Sequence, residues 1–108
     1  MFSPEAEKVR AFFADVLGML SVDAGGGWLI FALPPAELAV HPADGDSHHK
    51  LYLMCDNIQA TLVELRGKGV EVARDVSDQG WGLLAAIRLP DGSEFPIYEP
   101  RHPLPPRP

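Results

Sequence analysis

Apolar residues recur along this chain with two different periods. In the first segment Val9, Phe12, Phe13, Val16 and Leu17 fall at helical spacing and make one apolar face. Ser3, Pro4, Glu5 and Glu7 stand where an N-cap, a first-turn proline and dipole-matched acids belong, and Gly18 stands at the stop. The spacing predicts a helix from Ser3 to Gly18. Beyond it the pattern turns extended. Residues 21–24, the run WLIFAL at 28–33 and the stretch AELAVHP at 36–42 read as three strands, separated by Gly25-Gly26-Gly27 and by Pro34-Pro35. The three glycines do not form a phosphate loop, because no Lys-Ser/Thr follows and no helix opens after them.

Residues 43–49, ADGDSHH, are polar and turn-rich and form a joint. After it, residues 50–55 alternate like a strand. Asp56 or Asn57 caps a helix that runs to Arg66 with Ile58, Leu62 and Leu65 on one face, and Gly67 and Gly69 end it. Strands follow at 70–75, 82–89 and 94–99, the last two joined by the turn Pro90-Asp91-Gly92-Ser93. The tail, 101–108, carries four prolines in eight residues and reads as extended surface chain. The first half, 1–42, is thus helix-strand-strand-strand, and the second half, 50–100, is strand-helix-strand-strand-strand. This weak internal repeat predicts a single α+β domain of two related modules, the first lacking its opening strand because residues 1–3 are too few to make one.

Composition narrows the function classes. A chain of 108 residues fits one domain with one modest core, and 46% hydrophobic content is that of a globular protein. A net charge of −6 argues against nucleic acid, which wants a basic face. No apolar run approaches the ~18 residues of a membrane span, and the N-terminus lacks the basic-then-apolar pattern of a signal peptide, so a cytoplasmic location is expected. Cys55, the single cysteine, can form neither an internal disulfide nor a thiolate zinc site by itself, and a buried inert thiol is expected at the end of its strand.

The stretches RAFFADVLG, LYLMCDNIQATLVELRGKGV and LPDGSEFPIYEP resemble the vicinal oxygen chelate superfamily, which includes glyoxalase I, methylmalonyl-CoA epimerase, extradiol dioxygenases, and the fosfomycin and bleomycin resistance proteins. The resemblance covers about residues 4–100. It implies paired βαβββ modules curled around a cleft. In metal-dependent members, His, Glu or Gln side chains on the first and last strands of each module hold a metal with open positions, where it acts as a Lewis acid or binds oxygen. Carried onto this chain, the first of those positions has no counterpart, and the other three are Ala39, Lys50 and Pro96. Alanine and proline offer no donor, and a lysine ammonium repels a cation. The resemblance therefore implies a protein whose usual metal site is gone and which needs no cofactor. The alternative is a divalent metal held at a displaced site by His41, His49 and Glu99.

Strand alternation places Lys50, Tyr52 and Met54 on the cleft face, with Glu94, Pro96 and Tyr98 on the matching face of the last strand and Ala39 and His41 on a third. Leu51, Leu53 and Cys55 then point toward the helices. WLIFAL is apolar on both faces, so either Trp28, Ile30 and Ala32 or Leu29, Phe31 and Leu33 line the cleft. Trp81, beside a glycine turn, could close an edge. Such a lining is the usual make-up of a small-molecule pocket, and it is equally what a collapsed core would use. Lys50 in an apolar cleft could serve as a base, or snorkel to the rim, or pair with Glu94. Two functions stay open: a metal-free small-molecule-binding protein, and an enzyme resembling glyoxalase I or an extradiol dioxygenase. The missing first strand leaves an unpaired edge, which predicts a homodimer.

Overall fold

The computed structural model describes residues 1–33 and 36–106. The Pro34-Pro35 break and the last two residues of the proline-rich tail lie outside them. The elements are α1 (Ala6–Ala11), continued by a wider π-helical turn (Phe12–Val16), β1 (Ser21–Asp23), β2 (Leu29–Phe31), β3 (Leu53–Met54), α2 (Ile58–Gly67), β4 (Val72–Asp78), β5 (Gly82–Arg88) and β6 (Glu94–Pro100). β1 and β2 form a two-stranded antiparallel sheet. The other four strands form a mixed sheet in the order β3-β6-β5-β4, with β3 parallel to β6 and the remaining pairs antiparallel. The architecture is α+β, and the second module has the complete strand-helix-strand-strand-strand order. Among the described residues no helix is long and apolar enough to cross a membrane.

α2 forms where its pattern says. Asn57 is the N-cap and accepts from the Ala60 amide at 3.0 Å. Ile58, Leu62 and Leu65, at i, i+4 and i+7, are all buried. The helix stops in a Schellman motif: Gly69, at φ +84°, donates to Arg66, and Val70 donates to Leu65. Val70 is buried too, so the apolar contact that accompanies this motif is present.

β5 and β6 divide their side chains by parity. Ala85 and Ile87 pair with Ile97 and Phe95 on the helix side, while Leu84 and Ala86 pair with Tyr98 and Pro96 on the other. The helix side carries the core, in which Phe12, Phe13, Ile58, Leu62, Ile87, Phe95 and Ile97 are buried together with smaller neighbours. Phe13 sits edge-on to Phe95 at 5.5 Å and tilted against Phe31 at 5.8 Å. Through these contacts α1 and one face of the β1–β2 hairpin join the core of the second module. Phe31 packs against this core, Leu29 shares its side of the strand, and Trp28 and Ile30 are exposed, which settles the parity of WLIFAL.

Four expectations are corrected. The regular helix begins at Ala6 rather than after Ser3, and Ser3 instead accepts from the Glu5 amide at 3.1 Å and donates its hydroxyl to Asp91 Oδ2 at 2.5 Å. Residues 36–42 form no strand, and Leu38 and Val40 are exposed, because alternation by itself supplies no strand pairing. The strand expected over 50–55 shrinks to Leu53–Met54. Pro96 explains this. The Tyr98 carbonyl accepts from Cys55 at 2.9 Å, so β6 residues of that parity face β3, and two residues earlier Pro96 has no N–H to continue the ladder. In consequence Leu51 is exposed, whereas Leu53 and Cys55 do pack on the core.

Candidate functional site

The sheet face away from the helices carries an aromatic cluster. Tyr98 projects from β6 on that face. Tyr52, just before β3, meets it edge-on at 5.8 Å. Trp81 meets Tyr98 edge-on at 5.5 Å and lies nearly parallel to Tyr52, with ring centres 6.4 Å apart and planes 21° apart. His102 stacks on Tyr98 at 6.3 Å. Met54 is the register partner of Tyr98, and Pro96 and Glu94 continue the same face along β6. Trp81, Met54, Tyr52 and Tyr98 all keep some of their surface in water.

Local backbone features put the rings there. Gly82 lets Tyr98 lie close across β5: a Cβ at that position would meet the Glu99 carbonyl at 2.7 Å and the Tyr98 ring at 3.3 Å. Trp81 follows Gly80, at φ +82°, and its carbonyl accepts from Arg101 at 2.9 Å. The glycine bend turns the indole toward the tyrosines, although strict alternation with Leu83 and Ala85 would aim it at the helices. His102 obeys alternation with Tyr98 and Pro100, and continuing the period past the strand end would have found it.

Electrostatics around the cluster are nearly balanced. Glu94 accepts from Arg74 at 2.7 Å, and that hydrogen bond, with the charges of Arg74 and Arg88, holds its carboxyl below the usual value. Arg101 pairs with Asp78 at 3.1 Å. Burial, and then the charge of Glu37, push the Tyr98 hydroxyl up. Burial also pushes the Cys55 thiol up, so it stays a thiol, with Sγ 3.6 Å from the Tyr98 carbonyl.

The remaining expected residues fall elsewhere. Ala39, His41, His49 and Lys50 lie exposed in coil, where no ladder imposes a face. Glu99 projects to the helix side, and its Oε1 accepts from the Ile58 amide at 2.9 Å, at the positive end of α2. His41, His49 and Glu99 are therefore not brought together, and among the described residues no group of three His, Cys, Asp or Glu side chains is placed to hold a metal. Ala39 and Pro96 carry no donor atom in their side chains.

The aromatic face is partly covered: Trp81 is 38% exposed, and Tyr52 and Tyr98 are half-buried. A hollow of about 370 Å³ lies elsewhere, between Phe12, Val16, Lys68, Glu71 and Arg88. A second, of about 270 Å³, lies against Leu20, Val22, Ile30 and Ala32 of the hairpin. Neither is lined by Tyr52, Trp81 or Tyr98. Among the described residues the first module forms β1 and β2 and no further strand.

Residues 1–97 match the family described as the Glyoxalase/Bleomycin resistance protein/Dioxygenase superfamily. Among solved structures, TnmS3, an antibiotic binding protein from Streptomyces sp. CB03234, is similar over 89% of this chain and 87% of its own, with 24% identity and a TM-score of 0.64. Lactoylglutathione lyase from Agrobacterium tumefaciens is similar over 92% of this chain and 88% of its own, with 13% identity and a TM-score of 0.66. A superfamily member from Sphaerobacter thermophilus DSM 20745 is similar over 92% and 91%, with 19% identity and a TM-score of 0.62. At these identities the likeness is one of fold. No curated protein matches the chain in sequence.

Proposed function

The chain belongs to the Glyoxalase/Bleomycin resistance protein/Dioxygenase superfamily, and we propose that it acts there as a small-molecule-binding protein with no resident metal. The observation that carries the reading is the Tyr52–Trp81–Tyr98 cluster on the sheet face, with Tyr98 edge-on to two nearly parallel rings. Such rings offer large, stiff apolar surfaces at little entropic cost, and each stacking or edge contact with a flat ligand contributes about 0.5–1.5 kcal/mol beyond its area. The ligand class is accordingly a flat, largely apolar molecule. The ion pairs Arg74–Glu94 and Arg101–Asp78 nearby satisfy each other and leave the recognition to shape and stacking. TnmS3, similar in fold, is an antibiotic binding protein, so the fold accommodates this class of function.

The test has two arms. Titration with a panel of flat aromatic compounds, followed by tryptophan fluorescence, is expected to find a binder whose affinity drops about tenfold in Tyr98→Ala and in Tyr52→Ala, the loss of about 1.4 kcal/mol of contact. Unchanged affinity in both variants refutes the site. Elemental analysis after incubation with zinc, nickel, manganese and ferrous iron is expected to find next to no bound metal. A stoichiometry of about one per chain would instead favour the lyase or dioxygenase reading and a displaced metal site.

A further inference from the structure

The chain leaves the sheet beside the aromatic cluster. β6 ends at Pro100, and one step past the Gly82↔Pro100 pair the Arg101 amide still donates to the Trp81 carbonyl at 2.9 Å. The Arg101 guanidinium pairs with Asp78 of β4 at 3.1 Å. Arg101 is thus tied by both its backbone and its side chain. The ladder goes no further, because Pro103, Pro105 and Pro106 have no N–H to give. Residues 103–106 are exposed. Beyond Arg101, the described tail meets the cluster through the His102 ring. That ring is half-buried and stacks on Tyr98, with centres 6.3 Å apart and planes 26° apart.

The imidazole stands where a flat ligand would stand. Tyr98 lies against β5 at Gly82, where a Cβ would come within 3.3 Å of its ring, and it meets Tyr52 and Trp81 edge-on. The nearly parallel contact on Tyr98 is the one with His102, and offset-parallel stacking is how an aromatic ring takes a flat molecule. His102 Nδ1 lies 2.9 Å from the Pro103 carbonyl, so the polar edge of the imidazole is served by the tail and travels with it. Pro103 restricts His102 to extended backbone, and the prolines beyond it stiffen the tail, so little entropy is lost in holding the ring in place. A single stacked pair favours the closed arrangement by about three- to tenfold, which a ligand of larger contact area can reverse.

We propose that His102 is a strap across the ligand site. In the free protein its ring occupies the stacking position on Tyr98, and a flat ligand binds by displacing it. The chain hinges between Arg101 and His102. Arg101 stays tied to Trp81 and Asp78, so the displaced tail remains beside the site and closes again when the ligand leaves. This device rests on the Tyr52–Trp81–Tyr98 face being the binding face.

The experiment uses the full chain, as wild type, His102→Ala and His102→Trp, each first shown to keep the wild-type circular dichroism. Without ligand, proton NMR is expected to show a nuclear Overhauser effect between the His102 and Tyr98 rings, with the His102 signals assigned by their loss in the variants. Affinities for the flat-compound panel above, including acridone and flavone, are then measured by calorimetry. His102→Ala is expected to bind about three- to tenfold tighter than the wild type, and His102→Trp, with a larger stacking surface, to bind more weakly. At saturation the wild-type His102–Tyr98 effect should vanish. A binder found for His102→Ala and too weak to detect in the wild type supports the strap as well. A free protein without the ring contact overturns the proposal. So does a contact that persists at saturation, or an affinity that is unchanged or weaker in His102→Ala, since the imidazole is then a bystander or a wall of the site. Those outcomes leave the binding reading standing. Failure of all three chains to bind any compound removes the binding reading, and the strap's role falls with it even where the free protein shows the ring contact.

Discussion

Replacing Gly82 and Gly67 by alanine makes the same chemical change at two sites of opposite tolerance. At Gly82 the new methyl would lie 2.7 Å from the Glu99 carbonyl oxygen and 3.3 Å from the Tyr98 ring. A comfortable C···O approach is about 3.3–3.6 Å, so β5 and β6 must separate locally by about half an ångström or more. The oxygen belongs to the backbone of a strand paired along its whole length, from Gly82↔Pro100 to Arg88↔Glu94, and it cannot swing aside as a flexible side chain would. Overpacking of this kind costs about 1–3 kcal/mol. At Gly67, the last residue of α2, nothing lies within 4 Å of the added carbon, and its φ is not positive. There alanine is expected to stabilise by about 0.5 kcal/mol, through helix propensity and a stiffer unfolded chain. The unfolded-chain term favours alanine in both variants, so the difference between them reports the contact at Gly82. In urea, with a slope of about 1–3 kcal/mol per molar, Gly82→Ala should lower the midpoint by about 1 M and Gly67→Ala should raise it slightly. Both are measured at one protein concentration, since self-association would add its own term. A Gly82→Ala midpoint at or above the wild-type value would refute the close approach of Tyr98 over β5.

The remaining predictions concern the turn and the edge of the sheet. The hydroxyls of Ser3 and Ser93 pull the Asp91 carboxyl down to about 2, below the unfolded value of about 3.9. Its stabilising effect is thus complete above the unfolded value and is lost as pH falls from there through the folded one. Ser3→Ala should raise the Asp91 pKa, read by NMR titration, and flatten the acid limb of stability against pH; an unmoved Asp91 would refute the Ser3 contact. Pro96→Val restores an N–H facing β3, so β3 should lengthen toward residue 51, with a slowly exchanging amide at position 96. Rapid exchange there would mean that Pro96 is not what ends the ladder.

Most of the second module was legible in the chain. α2 has a side-chain cap, a three-residue apolar face and a glycine stop, all local in sequence, and all three formed. β6 follows a Pro-Asp-Gly-Ser turn and its faces followed from period alone, whereas β5, apolar from Leu83 to Ile87, shows no alternation to read. The first module failed where partners decide. AELAVHP alternates as well as many strands do, but alternation describes how a paired strand would present its side chains and supplies no pairing. The site shows the same division. Tyr52, Met54, Pro96 and Tyr98 were found by parity; Ala39, His41 and Lys50 were placed by parity in segments that are not strands; Trp81 was aimed into the cluster by the bend at Gly80 against its parity.

The sequence by itself determined the α+β class, the second module and the side of β6 that carries Tyr98. Each rests on residue chemistry or on contacts a few positions apart, where backbone geometry leaves few choices. Tertiary structure decided which rings meet, that Glu99 serves the amide end of α2, and that one face of the β1–β2 hairpin stays in water. These depend on segments tens of residues apart, whose meeting is set by which surfaces gain most from leaving water together, a competition across the whole chain that no local pattern records.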